Sequence, residues 1–382
     1  MSVAYVKSGD VLTEYMKIRT SGGDRDGGPL VYLTQFLEAT EGRARLVLGT
    51  ASARALPPIE DGATRLRGVA GGGSARRSLR IFAALLRARP KTIVCGERNL
   101  PLLATLLAAK LTGARTIFSS HNTLEPASPR LRHRLMVRLN AFCLRRMHAC
   151  ICHGPFLTRQ MAEIRGGDAG ILTFDRGMDD LPEPSYAPPA EQPRSVLFVG
   201  RVEREKGVFD LLRAMRPLLE HDPDLRLVYV GDGPALEELR AEVVALGLGA
   251  RVELAGRVPH REIAARLETA WAAATPTRST FPEGRPMAAT EALHFGIPVI
   301  APDLGPFAFF VKHGENGLLF RSDCESELHE RLKAVLSDPG LRARLSEGAR
   351  RTPSRMAGHD DFAGALAKAL RLVEGGRPEA RA

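Results

Sequence analysis

Two carboxylates, Glu283 and Glu291, and two cations, Arg201 and Lys206, are the residues of this chain whose types and surroundings most readily do chemistry. The carboxylates lie in residues 281–302, reading FPEGRPMAATEALHFGIPVIAP. Pro286 suits the first turn of a helix, because the N–H it lacks would be unpaired there and its φ is already helical. Met287, Ala288, Glu291, Ala292 and Phe295 then recur at helical spacing up to Gly296, and 298–301 follows as a buried apolar strand. Glu283 falls in the loop before the helix and Glu291 inside it, so that at ~1.5 Å rise per residue they stand roughly 8–12 Å apart. Taken alone, a loop Glu is equally explained as a favourable charge near the positive helix end, and a mid-helix Glu by solvation.

The cations lie in residues 195–207, SVLFVGRVEREKG. An apolar strand over 196–199 runs into Gly200-Arg201, and Lys206-Gly207 opens the next helix. Open α/β sheets bind ligands outside the carboxyl ends of their strands. Two fixed cations there, beside helix N-termini, make a diphosphate site.

Together these segments resemble the C-terminal half of the retaining glycosyltransferases of family 4, which have the GT-B fold. The family's G-R-x4-K-G appears as Gly200, Arg201, Lys206 and Gly207, and its E-x7-E as Glu283 and Glu291. The run 228–234 (VYVGDGP) looks like its second strand and turn, 252–256 (VELAG) like its third strand, and 316–319 (NGLL) like its last. The resemblance covers about residues 195–336. It implies an α/β chain of two Rossmann-like parallel-sheet domains facing across a cleft, with a hexose-type sugar moving from a UDP-sugar or GDP-sugar to a saccharide or lipid-linked acceptor, and no cofactor. It gives Arg201 and Lys206 the leaving diphosphate, Glu291 the ribose hydroxyls and Glu283 the donor sugar. Gly284, Arg285, Met287, Ala288 and Val258 complete the implied donor site. From the N-terminal half it adds His121, after a strand ending in Ser119-Ser120, and the turn Gly27-Gly28, whose amides would approach the donor phosphates. Read without the family, His121 is a loop histidine and Gly27-Gly28 a turn relieving backbone strain. Relatives often have two glycines around an aromatic after the first Glu; here Arg285 adds a charge and Pro286 deletes an amide.

The elements that must position these residues follow from the rest of the chain. At 382 residues and 44% apolar, the chain can bury two or three domain cores. Short strands are expected at 3–6, 46–48, 92–95 and 116–118, with helices at about 30–37, 78–88 and 100–111, an alternation that implies a parallel sheet. The prolines of 181–193, LPEPSYAPPAEQP, preclude helix and central strand. The expected domains are therefore 1–180 on the acceptor side and 194–382 on the nucleotide-sugar side, joined by that linker. Helices near 325–336, 341–348 and 362–373 end the second, and the last of them crosses back to the first domain in many GT-B proteins.

Charge is uneven, with 27 Lys+Arg against 15 Asp+Glu in residues 1–180, so the formal excess lies in the first half. Such a half attracts nucleic acid, an anionic membrane or an acidic substrate; nucleic acid is the weakest of these, since only 5% of residues are aromatic and no recognised binding motif is present. Within a helix at about 128–147, Leu131, Leu135, Leu139 and Phe142 are expected on one face and Arg130, Arg134 and Arg138 on another. Such a helix can lie on anionic lipid, although a solvated arginine face is the commoner explanation. The first ten residues lack the form of a signal peptide, no run reaches the ~20 residues that span a bilayer, and the five cysteines form no even framework. A cytoplasmic protein, peripheral on the inner membrane face at most, is expected. The run 148–153 (HACICH) reads as a core strand rather than a zinc site. Asp24 to Asp26 and Asp222 to Asp224 spell Asp-x-Asp but sit where turns are expected, so metal binding is not. A nucleotide-sugar epimerase, a glycoside hydrolase and a catalytically silent GT-B subunit that binds a partner or glycan are the rivals; the paired cations and acids favour the transferase.

Overall fold

The computed structural model describes residues 2–20, 29–50, 57–69, 73–124, 131–176, 181–185, 194–353 and 359–375. The chain forms two compact units, Met1–Arg176 with Gly358–Ala382, and Gly177–Ala357. Each is a sheet covered by helices on both faces.

The sheet of the first unit contains β1 (Val3–Lys7), β2 (Ala44–Gly49), β3 (Ile59–Asp61), β4 (Thr64–Gly68), β5 (Thr92–Cys95), β6 (Arg115–Ser120), β7 (Ala149–His153) and β8 (Ile171–Phe174), in the order β3-β4-β2-β1-β5-β6-β7-β8. All neighbours are parallel except β3 and β4, which form an antiparallel hairpin at one edge. β1 and β7 are buried along their whole length, as strands covered on both faces must be. Alternation sends Val3 and Tyr5 into one core layer, and Ala4 and Val6 into the other with Cys150 and Cys152. The HACICH run is thus core strand, and burial pushes the Cys150 thiol up to about 11.

The sheet of the second unit contains β9 (Ser195–Val199), β10 (Arg226–Val230), β11 (Val252–Gly256), β12 (Ala272–Ala274), β13 (Val299–Pro302) and β14 (Gly317–Phe320), all parallel, in the order β11-β10-β9-β12-β13-β14. Strand order reverses between β9 and β12 here, and between β1 and β5 in the first unit. These are the points at whose carboxyl ends a doubly wound sheet opens a crevice.

Two boundaries expected from sequence are corrected. The second domain does not run to the end of the chain: the helix Phe362–Glu374 belongs to the first unit. Its buried Phe362, Leu366 and Leu370 complete the core layer behind Val3 and Tyr5. The Phe362 ring meets Tyr32 and Phe174 at centroid distances of 5.4 and 5.3 Å, Arg43 pairs with Glu374 at 3.0 Å, and Asp175 N–H donates to the Asp360 carbonyl at 2.8 Å. The start of the proline-rich stretch is also no free linker. Leu181 packs against a core layer of the second unit, and the Ser185 amide donates to Glu268 at 3.2 Å.

Candidate active site

The carboxyl edge of the second sheet gathers the predicted donor residues of that unit. β9 ends at Val199, and Gly200 N–H donates to Val230 O at 2.9 Å while Gly231 N–H donates to Gly256 O at 2.7 Å, so the loops after three adjacent strands are laced together. A Cβ on Gly231 would come within 1.8 Å of Gly200 O, which makes glycine obligatory there. Arg201 leaves this lacing with its side chain 70% exposed, 3.7 Å from Glu203. A single turn, Arg204–Lys206, follows, and then Gly207 in the left-handed region at φ 72°. Only after Gly207 does the helix Val208–His221 begin, its first turn held by the Tyr229 hydroxyl, which donates to Val208 O at 2.8 Å.

Lys206 and Glu283 meet directly. Their Nζ and Oε2 lie 2.5 Å apart with both side chains mostly buried, and Nζ stands 4.0 Å from the centroid of the Phe281 ring. The family resemblance implies different parts of a ligand for the two residues; in the structure they form one ion pair. Glu291 is buried within the helix Met287–His294 rather than solvated. Pro286 is not in the first turn, as expected, but caps the helix, at φ −77° and ψ 78°. The Arg285 charge, expected as an addition at the site, is buried with its guanidinium 5.1 Å from the Phe310 ring centroid. Gly284 is buried, Met287 and Ala288 are half-buried, and Val258 is half-buried against the core layer that holds Leu197 and Val230. Asp222 and Asp224 form a turn, with Asp222 Oδ1 accepting from the Asp224 amide at 3.0 Å.

No sequence signal pointed to the clamp that holds the Glu283 loop. Arg278 donates to both oxygens of Asp210, at 2.7 and 2.6 Å, and its backbone N–H donates to Glu205 O at 2.9 Å. The hydrogen bond to Asp210 raises the Arg278 pKa further. This fork ties the segment before Phe281 to the first turn of the helix that follows Lys206. Asp210 and Arg278 lie far apart in sequence, and neither belongs to the quoted motifs.

In the first unit, His121 follows β6 at its carboxyl edge. Its Nε2 lies 2.7 Å from Ser119 Oγ, and its ring centroid is 4.3 Å from Tyr32, 5.4 Å from Phe174 and 5.7 Å from Phe362. Burial, and secondarily the charge of Lys7, lower its pKa to about 3, so the imidazole is neutral at ordinary pH. Lys7, at the carboxyl end of β1, is itself buried and pairs with Glu14 at 2.7 Å. Gly27 and Gly28 lie outside the described residues.

Comparison with known proteins bears on the family and the fold. The family model of the glycosyl transferases group 1 matches residues 185–352, and that of the glycosyl transferase 4-like domain matches residues 27–174. An alpha-D-kanosaminyltransferase of Streptomyces kanamyceticus is 30% identical over 44% of this chain and 44% of its own length. A D-inositol 3-phosphate glycosyltransferase of Catenulispora acidiphila is 31% identical over 48% and 45%. The chain thus spans about half the length of these curated relatives. Among solved structures, Anabaena HepE in complex with UDP and glucose superposes with a TM-score of 0.67 at 18% identity, covering 98% of this chain and 100% of that one. Sucrose-phosphate synthase from Thermosynechococcus elongatus superposes with a TM-score of 0.69 at 21% identity, covering 98% of each chain. With both halves matched in tandem and the fold shared from end to end, the chain belongs to the group 1 glycosyltransferases of the family-4 type, built on the GT-B fold.

Proposed function

We propose that the protein transfers a hexose-type sugar, with retention of anomeric configuration, from a UDP-sugar to a saccharide or lipid-linked acceptor in glycoconjugate or polysaccharide synthesis. The observation that carries this reading is the Lys206–Glu283 pair at the carboxyl edge of the second sheet, with Arg201 exposed beyond the same strand. UDP is favoured over GDP because HepE was solved with UDP and glucose. As the sugar C1–O bond to phosphate breaks, negative charge grows on the diphosphate and positive charge on the sugar ring. Arg201 and Lys206 stabilise the first. Glu283 binds sugar hydroxyls and favours the second, while its contact with Lys206 couples the two ends of the breaking bond. Glu291 accepts the ribose hydroxyls. The acceptor oxygen forms the new bond to C1 on the face the diphosphate leaves, and its proton passes to the departing phosphate oxygen, so no enzymic base is consumed. His121, neutral at working pH, serves as a hydrogen-bonding group rather than as a charge.

Thermal unfolding with UDP, GDP, ADP and TDP in turn tests the donor site. A nucleotide at about 100 times its dissociation constant stabilises by ~2.7 kcal/mol. UDP should raise the midpoint, and Lys206→Ala and Glu291→Ala should each abolish the shift. No shift with any nucleotide on folded protein would overturn the donor reading, and an inverted anomeric proton in the product's NMR spectrum would overturn retention.

A further inference from the structure

The helices Ser74–Ala88, Leu100–Thr112 and Leu131–Leu144 lie side by side on one face of the first sheet, each packed on the next and all contributing to one core layer. That layer takes Ile81, Leu85, Leu102, Ala108, Cys143 and Leu144. Their outward stripes carry a surplus that the core does not use. Six of the eight exposed large apolar side chains among the described residues lie on these three helices. The same helices contain eight Lys and Arg and no Asp or Glu.

The two kinds of residue share the outward stripes. On the first helix Arg76, Leu79, Arg80 and Arg87 are exposed together, and on the second Leu107, Lys110 and Leu111. On the third, the separate apolar and basic faces expected from sequence are not found. Leu139 turns toward the core, while Leu131, Leu135 and Phe142 stay exposed among Arg134 and Arg138. Just beyond that helix, the Arg146 guanidinium lies 3.6 Å from the centroid of the Phe142 ring. A merely solvated face would have no use for exposed leucines, and a protein partner's apolar core would not match so many cations. A surface of anionic headgroups over acyl chains matches both, since phosphates take the arginines and the acyl boundary takes the leucines.

We infer that this three-helix face docks onto an anionic lipid bilayer. It goes beyond the transfer reaction and does not depend on it, because binding to vesicles is measured without donor or acceptor. The full chain should co-sediment at physiological ionic strength with vesicles of phosphatidylglycerol and phosphatidylcholine but not with phosphatidylcholine alone. Arg134→Gln with Arg138→Gln should lower partitioning at least tenfold, since each cation near such a surface contributes roughly fivefold. Leu111→Gln with Leu135→Gln should lower it comparably while leaving the unfolding midpoint unchanged, and Val244→Gln, at an exposed apolar residue of the second unit, should have no effect. Failure of the unaltered protein to bind anionic vesicles would overturn the inference, as would binding that ignores both double substitutions. Binding that a soluble polyanion abolishes and the leucine pair does not alter would mark a polyanion site instead. Self-association dissolved by the leucine pair, without vesicle binding, would mark an interface between copies.

Discussion

Replacing Gly207 with alanine tests whether the loop carrying Lys206 is held as closely as the structure has it. A Cβ on Gly207 would lie 1.9 Å from the carbonyl oxygen of Pro276 and 3.2 Å from its Cβ, and the backbone there is left-handed, at φ 72°. Two costs therefore combine. The left-handed conformation disfavours any L side chain by about 1–2 kcal/mol, and the backbone carbonyl, which no rotamer change can move, must give way. Overpacking of this kind costs about 1–3 kcal/mol. Gly247 separates the two effects, since its φ is 68° but nothing lies within 4 Å of a Cβ built on it. Gly247→Ala thus carries the conformational cost alone. The difference between the variants is the steric part, which for a unit of this size corresponds to roughly 2–12 °C in unfolding midpoint. Scanning calorimetry of the two variants supplies the comparison. Since Pro276 follows β12 and Lys206 precedes Gly207, Gly207→Ala should also weaken UDP binding, and Gly247→Ala should not. Equal midpoints and equal UDP affinities for the two variants would refute the close approach and the positioning that rests on it.

Lys206→Met should lower UDP affinity at least tenfold by isothermal titration calorimetry, because it removes a phosphate cation and leaves Glu283 mostly buried without its partner. Arg278→Ala should raise the donor KM several-fold with little change in midpoint, since Arg278 is half exposed, Asp210 keeps its pair with Arg213, and the fork's value lies in holding the Glu283 loop. Tyr229→Phe should cost about 0.5–1.5 kcal/mol by denaturant unfolding, because it removes one buried hydrogen bond to the Val208 carbonyl while the helix keeps that carbonyl paired. For His121 the folded pKa of about 3 lies below the usual 6.5, so the unfolded chain binds the proton first as pH falls. Its stabilising contribution is complete above pH 6.5 and is lost as pH falls toward 3. An NMR titration should find the imidazole neutral down to at least pH 5, and His121→Gln should flatten the fall in stability over that window.

Much of the fold was legible because strands buried on both faces read as short apolar runs: VAYV, TIVC, ACIC and SVLFV all became central strands. The strand β12 was not legible, since its Ala272–Ala274 has neither β-branched nor aromatic character and is specified only by its neighbours. β4 was missed because Arg65 and Arg67 alternate with Thr64 and Leu66 beside the sheet edge, where one face meets solvent. At the site, charged residues near glycine turns could be found by local spacing. What spacing could not show was contact between distant residues: Lys206 closing on Glu283, Arg278 on Asp210, and Arg285 turning under Phe310. The fit of Phe362 between Tyr32 and Phe174 was likewise invisible, so the crossing of the final helix to the first unit was open from the family resemblance alone.

That final helix also sets an order of events during synthesis. The second unit is continuous in sequence, whereas the first begins the chain and is completed only by the helix Phe362–Glu374. As the chain leaves the ribosome, the first sheet emerges with the groove for Phe362, Leu366 and Leu370 still open, and the second unit is made in full before the missing helix arrives. The first unit must therefore wait partly assembled, its apolar layer exposed, while its neighbour folds, and it is the stage at which a chaperone would be needed.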